Sequence, residues 1–113
     1  MPNNKKISEI TSILAKGTQF NGDFKVKGSI RVDGTVEGNI EVSDAIIIGN
    51  EGVVKGNIKA KQAIIGGKVE GNIISDEKLE LQKGAEVTGD IACKILVIQE
   101  GVIFNGKCEM KKS

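Results

Sequence analysis

The sequence predicts an all-β, single-domain chain wound as a parallel β-helix, a β-solenoid of about six three-stranded coils. Three observations predict it. A five-residue unit (apolar, any, Gly, usually Asn or Asp, apolar) recurs along the chain with a spacing near 17 residues. Apolar residues fall into the same columns in every repeat, alternating with Lys, Glu, Thr, Asn and Asp, which is the period-2 pattern of a half-buried strand. Gly is abundant, 15 of 113 residues, against a usual share of about 7%. Flexible Gly-rich linkers are poor in branched apolar residues, whereas this chain is rich in Ile and Val.

In chain order, the unit appears as Phe20-Asn21-Gly22-Asp23-Phe24, Val36-Glu37-Gly38-Asn39-Ile40 and Val54-Lys55-Gly56-Asn57-Ile58. It returns as Val69-Glu70-Gly71-Asn72-Ile73, Val87-Thr88-Gly89-Asp90-Ile91 and a degenerate Phe104-Asn105-Gly106-Lys107-Cys108. The anchor glycines are spaced by 16, 18, 15, 18 and 17 residues. A period this short excludes arrays of helix pairs but fits one coil of three strands and three bends. Stacked at about 4.8 Å, six coils make a prism 25–30 Å tall. Gly at a bend adopts positive φ without a Cβ penalty, and Asn or Asp beside it tolerates similar geometry. Two residues after the anchor stand Phe24, Ile40, Ile58, Ile73, Ile91 and Cys108; four after it stand Val26, Val42, Ala60, Ser75, Cys93 and Met110. Both cysteines therefore read as small inward core residues. Between anchors, Ile46 and Ile48 correspond to Leu79 and Leu81 and to Leu96 and Ile98, with Ile64 and Ile65 expected to fill this place in the shortened repeat. An antiparallel sandwich would not reproduce these columns. The β-helix is expected over residues 13–110, between an N-terminal tail, 1–12, and a C-terminal tail, 111–113.

Composition excludes several function classes. There is no His, so neither an imidazole metal site nor a His-activated nucleophile is available. Sixteen basic against 15 acidic residues give a charge of +1, which offers no general attraction to nucleic acid, and the absence of Trp and Tyr removes most stacking platforms. No apolar run reaches the roughly 20 residues of a membrane helix, and the N-terminus lacks the apolar stretch of a secretory signal. A cytoplasmic setting is the default for two cysteines in such a chain. Hexapeptide-repeat acyltransferases wind similar coils but need a His base. Calcium-binding solenoids need a Gly-Gly-x-Gly-x-Asp pattern that Gly66-Gly67-Lys68-Val69 does not continue. The chain is therefore expected not to be an enzyme and to use no cofactor and no metal.

The stretch from Thr11 to Asp23 together with Ile30-Arg31-Val32-Asp33-Gly34-Thr35-Val36-Glu37-Gly38-Asn39-Ile40 resembles the bactofilins, bacterial cytoskeletal proteins, and the resemblance extends over residues 12–110. It implies a right-handed winding, which periodicity alone leaves open. It further implies nucleotide-free, end-to-end polymerisation into non-polar filaments that scaffold cell shape or cell-wall peptidases and synthases. Many members bind the inner face of the cytoplasmic membrane through a short N-terminal segment, which makes Lys5, Lys6, Ile7 and Ile10 candidate membrane contacts here. Members rely on an aromatic near the C-terminal end for polymerisation, and Phe104 is the matching position. The tails of this chain are shorter than those of many relatives.

The ends of the solenoid are where function is expected. Monomeric solenoids need polar caps, and bare strand edges pair with other chains. All three Phe lie in the end coils, Phe20 and Phe24 in the first and Phe104 in the last. Ile103 is apolar in an outward column that otherwise holds Gln19, Thr35, Val53, Lys68 and Glu86. Phe20, Phe24, Ile103 and Phe104 are thus the expected polymerisation interface; plugging of a monomer's open core is the other reading. A second class of function also stays open, a short non-polymerising module docking a protein, peptidoglycan or membrane partner. Its face would be a basic strip of Lys25, Lys27, Lys55, Lys59 and Lys61, interspersed with Glu37, Glu41 and Glu70.

Overall fold

Short alternating strands separated by glycine bends build a stack of coils. The computed structural model describes the backbone of residues 10–110 and the side chains of residues 15–110. The first coil comprises β1 (Ile10–Leu14), β2 (Gln19–Asn21) and β3 (Phe24–Val26), and the second β4 (Ser29–Val32), β5 (Thr35–Glu37) and β6 (Ile40–Val42). The third holds β7 (Ala45–Ile48), β8 (Val53–Lys55) and the start of β9 (Ile58–Ile65). The rest of β9, β10 (Lys68–Glu70) and the start of β11 (Ile73–Leu81) form the fourth. The rest of β11 opens the fifth, with β12 (Glu86–Thr88) and β13 (Ile91–Cys93), and the sixth is β14 (Ile95–Ile98), β15 (Ile103–Asn105) and β16 (Cys108–Met110).

Every pairing is parallel and links each coil to the next. One face is the six-stranded sheet β2-β5-β8-β10-β12-β15. The other two faces form one ten-stranded sheet, because β9 and β11 continue through the corner between them. The result is the expected parallel β-solenoid, with five turns separating the first rung from the sixth. Its first strand starts at Ile10, three residues before the expected start of the helix. Among the described residues there is no helix.

The core is the set of inward columns. Ile40, Ile58, Ile73 and Ile91 are each at most 1% exposed and stack directly upon one another. Each such burial contributes about 2 kcal/mol. The shortened repeat differs from expectation: Ala63 and Ile65, not Ile64 and Ile65, face inward, because Ala63 pairs with Ile46 and Ile65 with Ile48. The corner at Lys61 and Gln62, both exposed, breaks the alternation, so the inward parity passes from Ile58 and Ala60 to Ala63 and Ile65 and leaves Ile64 facing outward. Ser75 is a fully buried polar residue of the core; its hydroxyl lies 2.6 Å from the Lys78 carbonyl and 3.0 Å from the Lys61 carbonyl. It thereby satisfies the corner where the pairing of β11 with β9 shifts register.

The anchor glycines have a second requirement beyond their positive φ of 138–152°. A Cβ on Gly38, Gly56, Gly71, Gly89 or Gly106 would overlap the carbonyl oxygen of the anchor glycine one coil earlier. The Asn and Asp that follow are also explained differently from the turn tolerance expected. Asp23 Oδ1 accepts from the Asn39 N–H, Asn39 Oδ1 from the Asn57 N–H, Asn57 Oδ1 from the Asn72 N–H and Asn72 Oδ1 from the Asp90 N–H, each at 3.0 Å. This ladder ties adjacent coils along one corner.

Gly56→Ala should therefore lower stability by about 3 kcal/mol or more, since it adds a steric overlap to a strained φ. Gly84→Ala, also at positive φ but with nothing near its Cβ, should cost about 1 kcal/mol. Asn57→Ala, which removes one ladder acceptor, should cost about 1 kcal/mol. Thermal melts by circular dichroism check the ranking; equal effects of the two glycine substitutions would contradict the stack.

Candidate assembly surfaces

The two ends of the stack differ in how their apolar residues are covered. At the N-terminal end, Phe20 in β2 and Phe24 in β3 face inward on either side of the Gly22 corner. Their rings stack at 4.2 Å between centroids with an interplanar angle of 10°. Both are half-buried and packed against the core, so they close much of this end while leaving ring edges exposed.

At the C-terminal end, among the described residues, the inward columns have no seventh coil above them. Phe104, Leu96 and Val102 are half-buried against the core. Ile98 and Met110 are each 50% exposed. Cys108 is exposed as well, which corrects its reading as core filling, while Cys93, one coil earlier, is buried. Outward positions change character in this coil. Ile95 pairs with Lys78 and Ile103 with Glu86, so two mainly polar columns become apolar at the last rung, whereas Val97 pairs with Glu80 in a column that also holds Ile47 and Ile64. Five of the six exposed large hydrophobic side chains among the described residues belong to this coil: Ile95, Val97, Ile98, Ile103 and Met110. The sequence reading singled out only Ile103. The same comparison along the column of Lys78 and Gln62 finds Ile95.

The Oδ1 ladder also stops here. Asp90 Oδ1 accepts from the Lys107 N–H at 3.2 Å, but Lys107 itself carries no acceptor. The sixth rung thus presents bare strand edges and an apolar surface, with a cation where the lower rungs offer an oxygen.

The sides carry mixed charge. Lys25, Glu41 and Lys59 stand in register on successive coils, and Lys61 lies 3.8 Å from Glu77. The expected basic strip is therefore interrupted by carboxylates. Arg31 donates to Asp33 at 2.9 Å, and this hydrogen bond, with the carboxylate's charge, raises the guanidinium pKa above its ordinary value. Among the described residues no group of three or more His, Cys, Asp and Glu is placed to hold a metal ion, and no helix is long and apolar enough to cross a membrane. Of the candidate membrane contacts, Ile10 opens β1, and Lys5, Lys6 and Ile7 lie outside the described residues.

Comparison with known proteins gives a consistent result. The family model for Bactofilin, described as polymer-forming cytoskeletal, matches residues 12–109. Among curated proteins, Bactofilin BacO of Myxococcus xanthus is 28% identical over 99 residues, covering 88% of this chain and 79% of the relative. Bactofilin BacP of the same organism is 37% identical over 99 residues, and there the match spans only 39% of the relative's length. Among solved structures, a cryo-EM reconstruction of Thermus thermophilus bactofilin double helical filaments superposes with a TM-score of 0.85 at 29% identity, covering 89% of this chain and all of that one.

The difference between the fifth and sixth coils sets a chemical expectation. In the unassembled chain a maleimide should modify Cys108 and leave Cys93 unreacted until denaturant is added, read by mass spectrometry as one adduct and then two. Two adducts on the native chain would contradict the closed fifth coil.

Proposed function

The chain belongs to the bactofilin family of polymer-forming cytoskeletal proteins, and from that premise we propose that copies of it stack end to end, without nucleotide, into filaments in the cytoplasm. The observation that carries this reading is the concentration of exposed apolar side chains in the sixth coil, on outward and inward columns alike. An apolar end surrounding unpaired parallel strands suits a second copy better than water. Sheet pairing across the junction extends the three faces, and burial of Ile98, Ile103, Phe104 and Met110 supplies the hydrophobic term. At the other end, Phe20 and Phe24 present stacked ring edges to a like surface.

Non-polar filaments follow from the same features. In a head-to-tail junction the Asp23 N–H would face the sixth rung's ladder position, where Lys107 has no acceptor. A like-to-like junction makes no such demand and is self-complementary about a two-fold axis. Such filaments would serve as a scaffold for cell-wall enzymes or cell shape, presenting their mixed-charge sides to partners.

Phe104→Arg places a cation in the C-terminal contact, where an unpartnered charge is costly to bury. It should convert filaments to dimers joined through the unaltered end, seen by negative-stain microscopy and light scattering. Ile103→Glu, at a position 53% exposed and so without risk to the core, should do the same. Long filaments in both variants would overturn the assignment of this end. A wild-type chain that stays monomeric would favour the docking module instead.

A further inference from the structure

Where the fifth and sixth coils stack, the sulfur of Met110 meets those of both cysteines. Cys108 and Met110 are two residues apart on β16 and so share a face, and Met110 pairs directly with Cys93 on β13. Met110 Sδ lies 3.9 Å from Cys93 Sγ and 3.8 Å from Cys108 Sγ. Three sulfurs bound to one metal at about 2.3 Å stand about 3.8–4.0 Å from each other, the range from tetrahedral to trigonal geometry. The two sulfur separations that Met110 makes therefore already suit coordination. Neither cysteine forms a disulfide.

The donor set is uniformly soft. The chain has no His, and Glu109, between the two β16 ligands, alternates to the opposite face of the strand. Thiolate and thioether donors select monovalent copper over hard cations, and three ligands are one short of the tetrahedral set that structural zinc prefers. Access comes from the open end: Cys93 is fully buried, Met110 half-exposed and Cys108 exposed.

We propose that Cys93, Cys108 and Met110 form a binding site for one soft monovalent cation, Cu(I) or Ag(I), at the C-terminal end of the β-helix. On binding, the two thiols release their protons to solvent and the thioether donates a lone pair, with no change in oxidation state of metal or sulfur. The site belongs to the single chain, and because the proposed junction would cover it, the competition for Cu(I) is run on the full-length Ile103→Glu chain beside the wild type, which separates blocking by assembly from absence of the site.

The test is competition for Cu(I) against bicinchoninate with the full chain under reducing, anaerobic conditions. The wild-type chain should withdraw about one Cu(I) per chain. Met110→Leu, which keeps the packing volume, and Cys108→Ser, at an exposed position, should each weaken binding tenfold or more, with unchanged circular dichroism. Failure of wild type and Ile103→Glu alike to withdraw Cu(I) from the chelator would overturn the proposal. So would Met110→Leu binding as wild type, or Zn(II) binding as tightly as Cu(I) through the same residues.

Discussion

Glycine carbonyls stacked along one corner set the distance at which every coil meets the next. Each anchor glycine occupies space that a Cβ would deny to the carbonyl of the glycine before it. The Oδ1 ladder then reinforces the same corner with a hydrogen bond per step. With one corner held this tightly, the strands on either side fall into register, and the inward columns superimpose. The other bends are freer. They absorb one to three extra residues, or vanish where β9 and β11 run straight through, so the period varies while the columns do not.

A stack built by repetition carries no internal reason to end. At the sixth coil of this one the residue types change. Lys107 replaces the ladder's oxygen, and Ile95 and Ile103 follow Lys78 and Glu86 in their outward columns. These changes give the coil a surface suited to burial. The N-terminal end differs, since Phe20 and Phe24 stack on each other and partly close it. Two unlike ends, each apolar, support assembly in which each end meets its own kind.

The coil count, the inward columns and the role of the anchor glycines were legible in the sequence because they repeat, and repetition averages out local ambiguity. What did not repeat was harder to read. The inward residue of the short fourth coil is Ala63 rather than Ile64, a choice fixed by the break in alternation at Lys61 and Gln62, where β9 turns the corner. A continuous strand leaves no turn residue to mark it. The function of Asn39, Asn57 and Asn72 lies in a contact between coils, which no local turn preference encodes. Cys108 follows a core column but has no coil above it, so its exposure depends on where the stack stops. At the candidate ends, Phe104 and Ile103 stood out as departures from their columns. Ile95 departs from the column of Lys78 as well, but Val97 and Met110 do not depart from theirs, and their exposure follows from standing on the last described rung.

The central claim is that the stack of six coils continues from one chain into the next through its ends. Cryo-EM of filaments grown from the purified chain without nucleotide tests it most directly. Six rungs at about 4.8 Å predict an axial advance near 29 Å per chain, with strands lying across the filament axis and a true repeat of two chains related by a two-fold. Chains joined side by side, with strands running along the filament axis, or purified protein that forms no filament, would contradict the account.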